Sequence, residues 1–190
     1  MMSRPFAGGI PGALAVHHVA YTVPDLDQAV AFFVDVLGAE LAYWHGPVAF
    51  PDSDWMERQL NVHRDATLRL AMLKLGPVTN LELFEYTAPD QCRRIPRNSD
   101  WGGHHLALYV TDMEEAVRYL QAQPGVRVLG EPQPLEPGST RGDQWVYFLT
   151  PWGMQLELIT MPRGMSYERE VPTRLFQPEE VLSALNRQDG

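Results

Sequence analysis

Two histidines and two glutamates occur at matching positions in the two halves of the sequence. The segment HHVAYTVPDLDQAVAFF returns 87 positions later as HHLALYVTDMEEAVRYL, and these segments contribute His18 and His105. A second pair of matching segments, NLEL and later QLEL, contributes Glu82 and Glu157. Neutral imidazole nitrogen and carboxylate oxygen together suit Zn, Ni, Co, Mn or Fe(II). The repeat therefore predicts one divalent metal ion bound by these four residues.

The alternation of side chains along a strand decides which histidine of each His-His pair belongs to this set. Residues 17–23 are predicted to form a strand whose apolar face packs on a helix, and His18 lies on the opposite face. His17 and His104 fall on the apolar side, where a hydrogen-bonded structural role is expected. Taken singly, a strand-end histidine or a strand glutamate is more often structural or solvated. Four such residues within a repeat favour a site.

The elements that must position these residues repeat as well. Each half begins with a strand and an amphipathic helix, and three strand-like segments follow the helix, so the unit is βαβββ. Asp25 with Gln28, and Asp112 with Glu115, are spaced as capping pairs for the two helices. The later strands are predicted at Leu41 to Trp44, Thr67 to Leu75, Asn80 to Tyr86, Val126 to Leu129, Gln144 to Thr150 and Met154 to Thr160.

The sequence predicts two modules joined by a linker. The second module is shorter than the first, and the additional residues of the first are placed in a long insertion that mixes aromatic, basic and apolar side chains. Such an insertion favours a lid or pocket wall, although a plain surface excursion is the alternative. The predicted bounds are a leader at 1–13, a first module at 14–88 with its insertion at 45–66, a linker at 89–101, a second module at 102–161 and a C-terminal extension at 162–190, with a short helix starting near Pro178.

Candidate substrate-binding residues come mainly from this insertion. His63, Trp55 and Arg58 lie on it, and Tyr147 lies on a strand of the second module. The other aromatic side chains are equally compatible with core packing or with a ligand groove.

Composition limits the partners. Fifteen Lys and Arg residues against 24 Asp and Glu residues give a formal charge of −9, which disfavours nucleic acid and anionic membrane surfaces. Cys92 is the only cysteine, as expected of a protein in a reducing compartment, so a cytoplasmic location is predicted. No apolar run has the length of a membrane-spanning helix. We expect a small-molecule substrate and a homodimer.

The repeated segments, together with NLELFEY and the closing WVYFLTPWGMQLELI, resemble the vicinal oxygen chelate superfamily of glyoxalases, bleomycin resistance proteins and extradiol dioxygenases. The resemblance covers about residues 14–160. It implies an α+β fold in which two tandem βαβββ modules form a U-shaped, partly closed mixed β-sheet around a central cleft. The metal positions of that superfamily correspond here to His18, Glu82, His105 and Glu157.

A complete set of two histidines and two glutamates resembles the isomerases, epimerases and lyases of the superfamily. The resemblance implies proton abstraction next to a metal-chelated carbonyl, with Glu82 and Glu157 as the acid and base. A basic cluster for coenzyme A is lacking, because Arg58, Arg69, Arg97 and Arg141 are scattered along the chain. This favours a small polar hydroxyketone, and DWMERQLNVH is similar to segments of cyclitol ketone epimerases. The alternatives are a non-haem iron dioxygenase and a drug- or ligand-binding resistance protein.

Overall fold

The structure, a computed structural model, describes residues 10–13, 15–134, 143–161, 164–173, 175–176 and 178. The chain divides into two compact units, and the boundary along the sequence lies between Arg93 and Arg94. Most of the leader, and the residues after Pro178 that were expected to form a helix, lie outside the described residues. Within the described ranges no helix is both long enough and apolar enough to cross a membrane.

The first unit contains one four-stranded mixed sheet in the order β1-β4-β3-β2. The outer pair β1 and β4 is parallel, and the other two pairs are antiparallel. The elements of this unit are β1 (Val19–Thr22), α1 (Leu26–Ala31), β2 (Glu40–Val48), α2 (Trp55–Leu60), β3 (Thr67–Leu75) and β4 (Thr79–Thr87).

The second unit repeats this arrangement. Its sheet has the order β5-β8-β7-β6, and β5 pairs with β8 in parallel. The α+β class and the tandem βαβββ modules are therefore confirmed. The elements of this unit are β5 (Leu106–Tyr109), α3 (Met113–Gln121), β6 (Arg127–Pro134), β7 (Gln144–Leu149), β8 (Gln155–Thr160) and α4 (Tyr167–Glu170).

The first helix of each unit begins at the expected aspartate. Asp25 Oδ1 accepts a hydrogen bond from the Gln28 backbone N–H at 2.8 Å, and Asp112 Oδ1 accepts one from the Glu115 N–H at 2.9 Å. Each bond satisfies an N–H that has no partner within the helix. The first helix differs from the expectation at its other end, where Phe32–Val36 forms a π-helical turn.

Each helix packs on one face of its own sheet. The side chains on this face are apolar, and burying them is the main source of stability for such a small unit. The opposite face of each sheet carries the histidines and glutamates of the repeat. The buried core residues include Leu26, Ala29, Phe33, Leu73, Leu81 and Leu83 in the first unit, and Val117, Leu120, Val146, Phe148, Leu156 and Leu158 in the second.

The insertion of the first unit is more regular than a long loop. Strand β2 continues into it as far as Val48, and α2 lies within it. Met56 of α2 is fully buried and packs with Ala66 and Leu68, so an apolar contact anchors the insertion on the sheet. The sequence did not predict α2, because a helix of six residues is too short for a periodic pattern to show.

A partly exposed ion-pair cluster links α1 to the sheet. The Leu26 backbone N–H donates to Glu85 Oε2 at 2.7 Å, which satisfies one of the free amides of the helix N-terminus. Arg69 Nη2 donates to the same oxygen at 3.1 Å and to Asp27 Oδ2 at 2.8 Å. Arg69 and Glu85 are direct partners in the β3-β4 register, which places the Arg69 guanidinium in this cluster.

We predict that Glu85→Ala lowers the free energy of unfolding by about 1–3 kcal/mol, because it leaves the Leu26 amide and Arg69 without their shared acceptor. Asp27→Ala removes only the more exposed partner of Arg69 and is expected to cost below about 1 kcal/mol. Urea denaturation of both variants checks this. Equal losses in the two variants would contradict the role of Glu85.

Candidate functional site

The first His–Glu pair lies at the parallel edge of the first sheet. His18 immediately precedes β1, and Glu82 lies in β4 opposite Ala20. His18 Nε2 and Glu82 Oε2 are 3.3 Å apart, with the histidine side chain half-exposed and the glutamate mostly buried. The parallel pairing of the first and last strands of the module thus brings together two residues 64 positions apart in the sequence.

The second unit contains the same pair in the same register. His105 immediately precedes β5, and Glu157 lies in β8 opposite Ala107. His105 Nε2 and Glu157 Oε2 are 2.9 Å apart. The sequence repeat therefore corresponds to a repeated side-chain geometry, and the second histidine of each His-His pair is the one that meets the glutamate.

The first histidine of each pair has a different role. His17 Nδ1 lies 2.9 Å from His18 Nδ1, so one of the two nitrogens donates to the other. His104 Nδ1 lies 2.9 Å from the carbonyl oxygen of Gly102 and donates to it. In the contact between His17 and His18, either Nδ1 atom can be the hydrogen-bond donor, depending on which one carries the proton. His18 can therefore hold a proton on Nε2 when it faces Glu82 alone, and on Nδ1 when Nε2 is needed as a ligand.

The two pairs fit the geometry of metal ligands. Ligand atoms that each lie about 2.1 Å from a divalent ion are about 3.0 Å apart at right angles and about 3.4 Å apart at the tetrahedral angle. The separations of 3.3 Å and 2.9 Å are close to these values. Across the described ranges no group of three or more His, Cys, Asp or Glu residues is assembled. Each unit therefore presents two donors, and the four-residue site stays a prediction.

Aromatic side chains surround the second pair. Tyr147 of β7 is the register partner of Glu157, and its ring lies 5.1 Å from the His105 ring in an edge-on arrangement. The Trp145 ring lies 5.1 Å from Tyr147. Burial, and then the charge of Glu157, raise the pKa of Tyr147. The structure thus places Tyr147, a substrate-binding candidate from the sequence, directly beside Glu157.

The second unit concentrates buried negative charge. Burial raises the pKa of Glu157, although the neighbouring His105 opposes the shift through its charge and its hydrogen bond. Burial, and then the charge of Glu157, raise the pKa of Asp143 to about 6. Asp143 is only 2% exposed, and its Oδ1 has no hydrogen-bond partner among the residues that the structure describes.

Sequence reasoning missed Asp143. The signal was available, because Asp143, Trp145 and Tyr147 alternate on the face that carries Glu157 in the paired strand. Asp143 was overlooked because it lies just before the predicted strand.

A cavity of about 640 Å³ lies in the first unit, between the insertion and the sheet. His63 lines it, as expected of a substrate-binding candidate. Trp55 and Arg58 are not among its lining residues: Trp55 packs on Phe50, and Arg58 pairs with Asp54 on the outer side of α2. The lining residues are Thr22, Glu57, Asn61, Val62, His63, Arg64, Tyr86, Ala88, Asp90, Gln91 and Cys92.

Comparison with known proteins agrees with this architecture. The model of the Glyoxalase/Bleomycin resistance protein/Dioxygenase superfamily matches residues 17–148. A 2-epi-5-epi-valiolone epimerase from an Actinomyces species is 66% identical over 171 residues, which are 90% of this chain and 92% of that protein. The mitochondrial methylmalonyl-CoA epimerase of Bos taurus is 29% identical over 133 residues, which are 69% of this chain and 66% of that protein.

The crystal structure of a glyoxalase family protein from Bacillus cereus matches with a TM-score of 0.58 at 19% identity, and the match covers 80% of this chain and 99% of that one. This likeness concerns the fold. The fold and the repeated pairs define a glyoxalase-like protein of two βαβββ modules. The chain belongs to the Glyoxalase/Bleomycin resistance protein/Dioxygenase superfamily, which confirms the resemblance predicted from the sequence.

We predict that Asp143→Asn stabilises the metal-free protein at pH 7.5 by up to about 3 kcal/mol and changes it little at pH 4. The folded chain keeps the Asp143 proton up to about pH 6, whereas the unfolded chain releases it near the ordinary value of 3.8. Folding stability therefore falls as the pH rises through this window, and the amide removes that loss. Urea denaturation in EDTA at both pH values is the measurement.

The exposed Glu131→Gln in the same unit is the control, and it should change the free energy of unfolding by less than about 0.5 kcal/mol. A less stable Asp143→Asn protein at pH 7.5 would show that the charged carboxylate has a stabilising partner.

Proposed function

We propose that this protein is a metal-dependent epimerase of a small polar hydroxyketone of the cyclitol class. The observation that carries the proposal is the repeated His–Glu pair, at 3.3 Å in one unit and 2.9 Å in the other. The relative named 2-epi-5-epi-valiolone epimerase supports the reaction and the substrate class, because 66% identity extends over 90% of this chain.

The proposed metal ligands are His18, Glu82, His105 and Glu157. Two imidazole nitrogens and two carboxylate oxygens suit Zn, Ni, Co, Mn or Fe, and one divalent ion would satisfy all four groups. The buried negative charge of the second unit favours a cation there, because the burial that raises the pKa of Glu157 disfavours an uncompensated carboxylate. The proposal joins the donors of both units in one site.

A bound divalent ion supplies Lewis acidity, which polarises a substrate carbonyl and acidifies the neighbouring C–H. In the proposed reaction one glutamate removes that proton and the other delivers a proton to the opposite face of the same carbon. Glu157 is well suited to accept the proton, because burial brings its pKa closer to neutral pH. Glu82 occupies the equivalent position of the other module. Two bases related by the repeat account for inversion at a single carbon.

An uncharged polyol fits the distribution of positive charge. Among the arginines considered from the sequence, Arg58 pairs with Asp54, Arg69 with Asp27 and Glu85, and Arg97 with Asp100. Arg141 lies outside the described residues. The formal charge of −9 further disfavours a phosphorylated or coenzyme A substrate.

The proposal also includes a homodimer with a small molecule as its ligand, in the cytoplasm. Light scattering on the purified protein should give about twice the chain mass of 21.5 kDa. A mass of 21.5 kDa would contradict the dimer without affecting the reaction.

We predict that the metal-loaded protein converts 2-epi-5-epi-valiolone to an epimer in D₂O under anaerobic conditions, with deuterium incorporated at the inverted carbon. Glu82→Gln and Glu157→Gln should each reduce this conversion by about 100- to 10,000-fold, because each amide removes one of the two bases. Proton NMR measures both the exchange and the conversion. The exposed Glu114→Gln serves as a control and should retain full activity.

The other outcomes separate the alternative functions. Full turnover in either glutamine variant would contradict the two-base scheme. Oxygen-dependent ring or C–C cleavage would identify a dioxygenase, and loss of a substrate group without epimer formation would identify a lyase. Tight binding of a ligand without exchange would identify a binding protein.

A further inference from the structure

The cavity of the first unit lies on the same sheet face as the His18–Glu82 pair. Thr22 lies four residues after His18, and Tyr86 lies four residues after Glu82. Because side chains alternate between the two faces of a strand, these four side chains share one face. Both Thr22 and Tyr86 line the cavity. Burial, and then the charge of Glu82, raise the pKa of Tyr86.

The wall opposite the sheet is formed by the end of α2 and the residues that follow it. Asn61 ends the helix in the left-handed conformation, with φ of 55°, which asparagine adopts more readily than most residues. The chain then turns back toward β3, and the Ala66 N–H donates to the His63 carbonyl oxygen at 2.9 Å. Met56 and Ala66, buried on the sheet at either end of this segment, hold it in place. The wall is therefore anchored at both ends.

The hydrogen bonds of His63 determine which ring nitrogen it presents. The Asp65 backbone N–H donates to His63 Nδ1 at 3.1 Å, so Nδ1 is an acceptor. A neutral imidazole that accepts at Nδ1 carries its proton on Nε2. The Asp65 carboxylate lies farther away, at 3.8 Å, and is largely exposed. A backbone amide thus fixes His63 as an Nε2–H donor in a side chain that lines the cavity.

The cavity lining suits a neutral, hydroxyl-rich ligand. Glu57 and Asp90 carry negative charge and Arg64 carries positive charge, so the charged lining residues have no excess of positive charge to select a phosphate. Asn61 and Gln91 offer both donors and acceptors, as hydroxyl groups require. The volume of about 640 Å³ exceeds that of a single cyclitol ring, which leaves room for bound water.

We propose that this cavity is the subsite that selects the hydroxyl-bearing part of the substrate, and that His63 is its specificity-determining residue, donating from Nε2–H to a substrate oxygen. This inference rests on the proposed function, since it concerns the same substrate. It assigns the insertion a role in substrate selection that the repeated His–Glu pairs do not have. The two His–Glu pairs are equivalent, whereas the insertion belongs to the first unit alone and makes the two ends of the substrate distinguishable.

The test compares three variants of the metal-loaded protein with 2-epi-5-epi-valiolone. His63→Ala should raise KM by about 3- to 10-fold, the effect of one neutral hydrogen bond, and should leave kcat and metal content nearly unchanged. His63→Gln keeps an N–H donor and should recover part of the affinity. Asp65→Ala retains the backbone amide that fixes the tautomer, so it is the matched control and should behave as the wild-type protein.

Monodeoxy analogues of the same cyclitol identify the hydrogen bond. Removal of the hydroxyl that His63 binds should weaken binding to the wild-type protein and have no further effect in His63→Ala. An unchanged KM in His63→Ala would overturn the proposed subsite without contradicting the proposed epimerase activity. Loss of bound metal in His63→Ala also overturns it, because His63 would then belong to the metal site. A wild-type protein that neither binds nor epimerises the cyclitol overturns both proposals.

Discussion

The parallel pairing of the first and last strands of each module is the constraint on which the candidate site depends. It sets Ala20 opposite Glu82 and Ala107 opposite Glu157, which brings a histidine just before the first strand within 3.3 Å or less of a glutamate in the last. A slip of one residue in this register would turn the glutamate into the helix-packed core. The buried leucines on either side of each glutamate oppose such a slip, so hydrophobic packing fixes the position of the polar groups.

The same packing buries two carboxylates near each other in the second unit. Glu157 is largely buried, and Asp143 is almost fully buried within its electrostatic influence. Such carboxylates lower the stability of the metal-free fold at neutral pH, a pattern more typical of functional sites than of structural ones. A bound cation would relieve the repulsion around Glu157. In the first unit, Glu85 and Asp27 lie on the helix side of the sheet, where Arg69 compensates their charge.

Most of the fold could be predicted from the sequence because the repeat shows the same pattern of strands and helix in both halves. Alternation chose His18 over His17 and His105 over His104, and the structure pairs the chosen residues with the glutamates. Local features that no repeated pattern marks could not be predicted. The helix around Met56 is too short for a periodic pattern, and Asp143 lies one residue outside its strand. The hydrogen bond that fixes His63 comes from a backbone amide, which no pattern of side chains encodes.

The central proposal is that the two equivalent pairs bind one metal ion together. The most direct measurement is elemental analysis of the protein reconstituted with a divalent metal and freed of excess ion, compared with His18→Ala and His105→Ala. One ion per wild-type chain, lost to the same extent in both variants, is the predicted result, because each unit supplies half of the ligands. Two ions per chain, with each variant losing one, would show that the units bind metal separately. A metal content that neither variant changes would contradict the site.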